Sequence, residues 1–383
     1  MDARIDIDPI PLARDLIRCK SVTPAEGGAL DLLDARLTAL GFATRRYDFG
    51  LVSNLYARLG DAAPNLCFAG HIDVVPVGDE AAWSADPFAA EIRDGRLIGR
   101  GTADMKTAIA AMIAAVETHL TTQGAPTGSI SFLLTSDEEG PAIDGTKRVL
   151  AQLAQAGERF DHCLVGEPTS VTRVGDTLKN GRRGSVNTVV VIEGVQGHVA
   201  YPDESNNPVS ALLDLLAALR ARKLDDGAPG FQPSNLEVTT LDVGNVAHNV
   251  IPARAEAKFN IRFNTAHTGA DLVRWIESEA DKVRKTRGVK IETRITAGAS
   301  PFYTAPERFI RLVAAASEEV TGYAPELSTS GGTSDARFIK DVCPVAELGL
   351  QNATAHKVDE QVKVEDVRTL ARIYAAILKR YFA

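Results

Sequence analysis

The chain has 383 residues, enough for two to three domains of about 150 residues each, so a sizeable core can be buried and small stapled scaffolds are excluded. Hydrophobic residues make up 45% and charged residues 24%, the balance of a folded globular protein rather than a disordered one. Lys and Arg number 42 against 50 Asp and Glu, a net charge of −8 with no long basic run, which argues against a general electrostatic grip on nucleic acid or an anionic membrane.

The amino terminus, Met1 to Asp8, lacks the basic start and apolar stretch of a signal peptide. The conspicuous uncharged stretch Thr107 to Val116 is far shorter than the roughly 20 residues a membrane span requires. Cys19, Cys67, Cys163 and Cys343 form no Cys-x-x-Cys pair, and Cys67 and Cys163 sit in apolar strand patterns, so a cytoplasmic location is expected.

In the first half, short apolar runs alternate with amphipathic segments, the pattern of an α/β fold with a largely parallel sheet covered on both faces. The runs Asn65 to Ala69, Ser129 to Leu134 and His162 to Val165 are predicted strands. Each ends in a polar, Gly-bearing segment: Gly70-His71-Ile72-Asp73, Ser136-Asp137-Glu138-Glu139-Gly140 and Gly166-Glu167-Pro168. Ligands of open α/β sheets bind beyond the carboxyl ends of the strands, so these side chains are expected to reach one rim. Between the first two runs, Ile109, Met112, Ile113, Val116 and Leu120 keep helical spacing, and Asp104 is expected to head that helix.

From about Asn180 to Ala297 the order becomes β, α, β, β, α, β, an α+β layer inserted into the first domain, with helices at Val209 to Arg222 and Gly269 to Arg284. Beyond Ala299 the α/β pattern returns, with a loop at Ser328 to Asp335 and a closing helix at Val364 to Tyr381.

His71, Asp73, Asp104, Glu138, Glu139, Glu167 and His356 form the strongest chemical constellation. Imidazole and carboxylate ligands without thiolate suit Zn²⁺ or a similar first-row ion, and a carboxylate can bridge two of them. In an extended segment residues two apart point the same way, so the Asp73 carboxylate is expected to hold the His71 ring nitrogen that faces away from metal. Singly, each residue has an ordinary reading: a structural histidine, a helix cap, a solvated turn, a loop carboxylate. Their joint placement at successive strand ends favours chemistry. His119, His162 and His267 read as structural.

The strings Gly70 to Pro76, Arg100 to Lys106, Thr135 to Gly140, Gly166 to Pro168 and Gly197 to Pro202 resemble the dinuclear zinc deacylase and carboxypeptidase family over nearly the whole chain. Ser136 to Thr146, Gly181 to Ser185 and Ser330 to Phe338 are similar to the branch that removes succinate from N-succinyl-LL-diaminopimelate in lysine and cell-wall precursor biosynthesis. Around Asn352 and His356 the match holds, whereas Leu350-Gln351 departs from it.

The resemblance implies a zinc-peptidase-like catalytic domain, with a mixed, mostly parallel sheet between helices, made of residues 1–180 and 297–383. It implies an inserted ferredoxin-like dimerisation and lid domain at 181–296. It further implies two divalent ions per subunit, Zn²⁺ or alternatively Co²⁺, with His71, Asp104 and Glu167 on one, Asp104, Glu139 and His356 on the other, and a cis peptide at Asp104-Met105. Asp73 and Glu138 become catalytic, Glu138 as general base toward the attacking water. His198 is expected to reach the partner subunit's site in a homodimer as an oxyanion donor, with Asn249 and Tyr201 also crossing over. Around the substrate stand Arg182, Ser185, Arg262, Thr333, Arg337 and Asn352, with Arg183 and Lys179 as further cations, since a guanidinium fork pairs with a carboxylate.

Two other readings compete. One is a sibling N-acyl amino acid deacylase, such as an acetylornithine deacetylase; the other is a zinc-stabilised, non-catalytic binding protein. Glu138 counts against the second, because a closed structural site has no water position. Neither a Gly-x-x-x-x-Gly-Lys loop nor a Gly-x-Ser-x-Gly elbow is present.

Overall fold

The computed structural model describes residues 6–383. They fall into two compact units: residues 6–181 with Thr304–Ser328 and Ser334–Ala383, and Arg182–Tyr303 with Thr329–Thr333.

The first unit begins with α1 (Ile10–Arg18), α2 (Ala29–Ala39), β1 (Ala43–Phe49), β2 (Val52–Leu59), β3 (Asn65–His71), β4 (Glu91–Arg93) and β5 (Arg96–Ile98). It continues with α3 (Lys106–Gln123), β6 (Ser129–Thr135), α4 (Thr146–Gln155), β7 (His162–Val165) and β8 (Thr177–Lys179), and the chain passes from the first unit to the second within the short β9 (Gly181–Arg182). The second unit supplies β10 (Gly184–Glu193), β11 (Gly197–His198), α5 (Pro208–Ala221), β12 (Asn235–Asp242), β13 (Val250–Ile251), β14 (Arg254–Phe263), α6 (Gly269–Arg287), β15 (Lys290–Ala297) and β16 (Phe302–Tyr303). The chain closes with α7 (Arg308–Thr321), β17 (Glu326–Ser328), α8 (Ala336–Ile339), β18 (Val345–Glu347), β19 (Gln361–Lys363) and α9 (Val364–Tyr381).

The large sheet runs β1-β2-β6-β3-β7-β18-β8-β17. β3 is parallel to β6 and β7, β18 to β7, and β17 to β8, while β1, β2 and β6 are joined antiparallel. This is the mixed, mostly parallel sheet expected. The β1–β2 hairpin at its edge lies outside the predicted strands, since β1 is half-exposed along its length. β3 and β6 are buried along their whole length, as strands covered on both faces must be, which is why they read as continuous apolar runs. Register sets the rim: His71 lies level with Thr135, and Val165 is opposite Ala69, so Glu167 falls level with His71.

α3 spans the predicted residues but is not amphipathic, because it packs against β3 as well as α1 and α9 and is buried nearly all round. Nor does Asp104 cap it. The helix begins at Lys106 behind Met105 with no side-chain cap, and the Asp104 carboxylate is engaged elsewhere. The Asp104-Met105 peptide is cis.

In the second unit β12-β14-β10-β15 forms an antiparallel sheet. Alternating burial along β14 turns Ala255, Ala257, Phe259, Ile261 and Phe263 toward α5 and α6, which close a separate core. The chain leaving α5 is pinned by Asp225, which accepts from Gly227 N, Ser234 N and Asn264 Nδ2 and meets His267 Nε2 at 3.0 Å. Burial opposes the charged form, yet the donors from Ser234, Gly227 and Asn264 hold this carboxyl down at about 2. Asp225→Ala is expected to cost about 1–3 kcal/mol in urea unfolding of the full chain. A depressed carboxyl stabilises fully above the ordinary value of about 4, so the difference between wild type and variant should shrink as pH falls toward 2.

Candidate metal centre and active site

Gly70 and Gly166 precede His71 and Glu167 at the ends of the adjacent strands β3 and β7. A Cβ on Gly70 would lie 2.5 Å from the Met105 Cε, and one on Gly166 would lie 2.7 Å from Met112 and 2.8 Å from Met105. The missing side chains let the start of α3, and with it Asp104, approach the strand ends. Gly166→Ala therefore pushes on the residue next to Asp104.

Asp104 divides its two oxygens between two histidines. His71 Nε2 lies 3.0 Å from Oδ1, and His356 Nε2 lies 3.2 Å from Oδ2. His356 Nε2 is also 2.7 Å from Glu139 Oε1, and His71 Nε2 is 3.8 Å from Glu167 Oε1. Ligand atoms of His71, Asp104 and Glu139 lie within 4.8 Å of one another, as do those of His71, Glu138 and Glu167. Six residues from five separate stretches thus converge: His71, Asp104, the adjacent Glu138 and Glu139, Glu167 and His356. His71 and Glu167 are buried, Asp104, Glu138 and Glu139 are half-buried, and His356 is exposed.

The charges tune one another. Burial resists ionisation of His71, but Asp104, Glu167 and Asp73 raise it well above the ordinary imidazole value. His356 is pushed up to about 10 by its bonds to Asp104 and Glu139. Burial works against the charged Asp104 carboxyl, and the same two histidines nevertheless hold it below the usual carboxylate range. Glu138 moves the other way, up to about 8, through burial and the neighbouring carboxylates Asp335, Glu139 and Asp104. Four carboxylates around two imidazoles leave an excess of negative charge, and this donor set fits divalent cations.

His71 Nδ1 is 2.9 Å from the main-chain carbonyl of Asp73, whereas the Asp73 carboxylate lies 3.6 Å away. The carboxylate instead accepts from Glu138 N at 3.3 Å and Glu139 N at 3.1 Å. This corrects the expected ring-to-carboxylate bond: two successive amide donors on the facing turn claim Asp73, and the peptide oxygen takes over the ring. The outcome for the neutral imidazole is the same, since a proton on Nδ1 leaves the Nε2 lone pair facing Asp104.

The other predicted site residues are distributed over both units. In the first, Arg337 Nη2 lies 3.9 Å from Asp335 Oδ1, Asn352 N donates to Ser170 O, and the buried Lys179 donates to Ser328 Oγ. In the second, Arg182 donates to Gly332 O beside Thr333, Arg183 donates to Asn235, and Ser185 pairs across the sheet with Arg262. His198, Tyr201 and Asn249 are exposed together where β11 meets β13, and Ala200 N donates to His198 Nδ1 at 3.0 Å. Sequence reasoning missed Asp335, a buried carboxyl raised to about 6 chiefly by burial, and the Arg100–Glu360 ion pair. The polar Ser328 to Asp335 loop was a visible signal for the first.

The profile described as peptidase family M20/M25/M40 matches residues 67–380. The chain belongs to peptidase family M20/M25/M40. A relative from Caulobacter vibrioides named succinyl-diaminopimelate desuccinylase is 58% identical over 379 residues, covering 99% of this chain and 97% of its own. Among solved structures, aminopeptidase PepT from Bacillus cereus superposes with a TM-score of 0.79 at 20% identity, covering 97% of this chain and 98% of that one. A dinuclear metal binding peptidase of the M20 family from Bacillus subtilis gives a TM-score of 0.71 at 16% identity, covering 98% and 97%. These structures share the M20 fold with this chain. No helix among the described residues is long and apolar enough to cross a membrane.

Proposed function

We propose that this chain is a metal-dependent amide hydrolase that removes succinate from N-succinyl-LL-diaminopimelate, releasing LL-diaminopimelate. The observation that carries the reading is Asp104, one oxygen toward His71 and the other toward His356, the arrangement a carboxylate needs to lie between two cations. The name of the 58% identical relative supports the substrate.

His71, Asp104 and Glu167 would hold one ion, and Asp104, Glu139 and His356 the other, Zn²⁺ in preference to Co²⁺. When bound, the ions would polarise the amide carbonyl and make water acidic enough to ionise near neutral pH. Glu138 holds the attacking water, takes its proton and passes it to the leaving amine. Its carboxyl is raised to about 8 by burial and neighbouring carboxylates, so it is a stronger base than an exposed glutamate. Asp73 orients the Glu138–Glu139 turn through both amides and fixes His71 through its carbonyl.

Substrate carboxylates call for local cations in a chain of net charge −8. Arg182, Arg262 and Arg337 supply them, and Ser185, Thr333 and Asn352 supply neutral hydrogen bonds. The working unit is a cytoplasmic homodimer, consistent with four free cysteines and with exposed Val199, Tyr201, Leu241 and Val246 on the second unit, apolar surface that a second copy would cover. His198 reaches the partner's site. With Ala200 N donating to Nδ1, Nε2 is the ring nitrogen left to donate to a developing oxyanion.

Titrating metal-stripped protein with Zn²⁺ while following hydrolysis of N-succinyl-LL-diaminopimelate and N-acetylornithine tests the reading. Activity should return with two equivalents and favour the succinyl compound; preference for the acetyl compound would overturn the substrate assignment. Sharing of sites has its own test. Glu138→Gln and His198→Ala homodimers should each be nearly inactive. Unfolded and refolded together, they should regain about one working site per mixed dimer, and no recovery despite mixed dimers on native mass spectrometry would refute the crossing.

A further inference from the structure

We propose that Glu360, clasped to Arg100, is a positioning residue that sets the separation of Asp104 and His356 and so the affinity for the ion those two residues hold. The inference rests on the metal reading above. It concerns two residues that lie outside the ligand set.

Glu360 is fully buried and Arg100 is 2% exposed. Glu360 Oε1 accepts from Ala103 N at 2.8 Å and Asp104 N at 3.1 Å, and Oε2 accepts from Gly101 N at 3.1 Å and Arg100 Nη1 at 2.7 Å. One carboxylate therefore gathers three amides of the turn that delivers Asp104. The Glu360 carbonyl accepts from Gly99 N at 2.9 Å, closing the turn from its other end.

Arg100 extends the clasp in the opposite direction. It donates to the carbonyl of Lys357, the residue after His356, at 3.2 Å, and to the carbonyl of Pro76 at 3.4 Å. Its guanidinium lies over Trp83, 5.2 Å from the ring centroid. Three segments are thus joined by one buried pair: the stretch following His71 and Asp73, the Asp104 turn, and the His356 loop.

That loop needs holding. His356 has φ +62° and Asp359 φ +56°, left-handed backbone that residues with a Cβ adopt rarely unless the surroundings impose it. Asp359 Oδ1 accepts from Ser84 N at 2.7 Å, and β19 pairs with β5 directly beyond, so the loop is tied at its far end to the strand that leads into the Asp104 turn. A buried ion pair is in itself weak grounds for a stabilising role, since apolar residues often replace one without loss. What apolar residues cannot do here is satisfy three amide donors while fixing where Asp104 sits relative to His356.

Glu360→Gln keeps the shape but turns an NH₂ group toward N–H donors. Arg100→Lys keeps the charge but loses the fork that spans Lys357, Pro76 and Glu360. Calorimetric titration of metal-stripped protein with Zn²⁺ should show two strong equivalents in wild type. In Glu360→Gln one equivalent should remain near its wild-type affinity and the other should weaken by about 10–100-fold, the usual range for groups that orient a ligand. Arg100→Lys should weaken the same equivalent by less, and it decides the matter if Glu360→Gln does not fold. Unchanged affinities for both ions in the folded variants would overturn the proposal, even with a lowered melting temperature, because that is the signature of a purely structural pair. Wild type binding no ion would overturn the metal reading itself.

Discussion

Asp104→Ala is expected to abolish turnover and to cost more metal affinity than any other single ligand change. Its two oxygens face His71 at 3.0 Å and His356 at 3.2 Å, so one substitution removes a ligand from both ion positions. It also removes the charge that holds the two imidazoles together. The loss should exceed the 10–100-fold that follows removal of an outer hydrogen-bonding partner, and calorimetric Zn²⁺ titration should detect at most one weak equivalent. Glu167→Ala and His356→Ala, each touching one side of the cluster, should retain one measurable equivalent. Two strong equivalents in Asp104→Ala would remove Asp104 from the bridging position. The apo protein should lose less stability than the metal-loaded protein, since metal that binds only the folded chain adds its own linkage.

The strand ends were legible because β3, β6 and β7 are buried on both faces, and a fully buried parallel strand has little choice but to be apolar along its length. His71, Glu138, Glu139 and Glu167 stood out against those runs. The β1–β2 hairpin did not, since its half-exposed strand Ala43–Phe49 carries Thr44, Arg45, Arg46 and Asp48 and reads as polar surface. The geometry around Asp73 was beyond reach for another reason. Which oxygen meets the His71 ring depends on two amides of a turn 65 residues away, and backbone donors leave no trace in side-chain identity. Arg100 and Glu360 illustrate the same limit at longer range. They are 260 positions apart, each alone reads as ordinary surface charge, and only folding makes them a buried pair.

Glu138→Gln separates the role of a base from the role of a ligand. The question is real in this structure, because the Glu138 carboxylate lies within 4.8 Å of ligand atoms on both His71 and Glu167, as close a grouping as the one formed by His71, Asp104 and Glu139. If Glu138 is the base, the amide keeps its volume and hydrogen-bonding reach but cannot accept the proton of the attacking water, and turnover should fall by about 10²–10⁴-fold while both Zn²⁺ equivalents bind as in wild type. If it is a ligand, metal affinity should fall with activity. The pH profile offers a second readout. Catalysis needs the carboxylate form, so kcat/KM of the wild type should rise with pH through the Glu138 titration, with burial and the neighbouring carboxylates moving that limb up and bound cations moving it down. In Glu138→Gln the limb should disappear from the residual activity. A variant that keeps near-normal turnover, or loses turnover while keeping the same acid limb, would assign proton transfer to a different group, and the adjacent buried Asp335 would be the next to test.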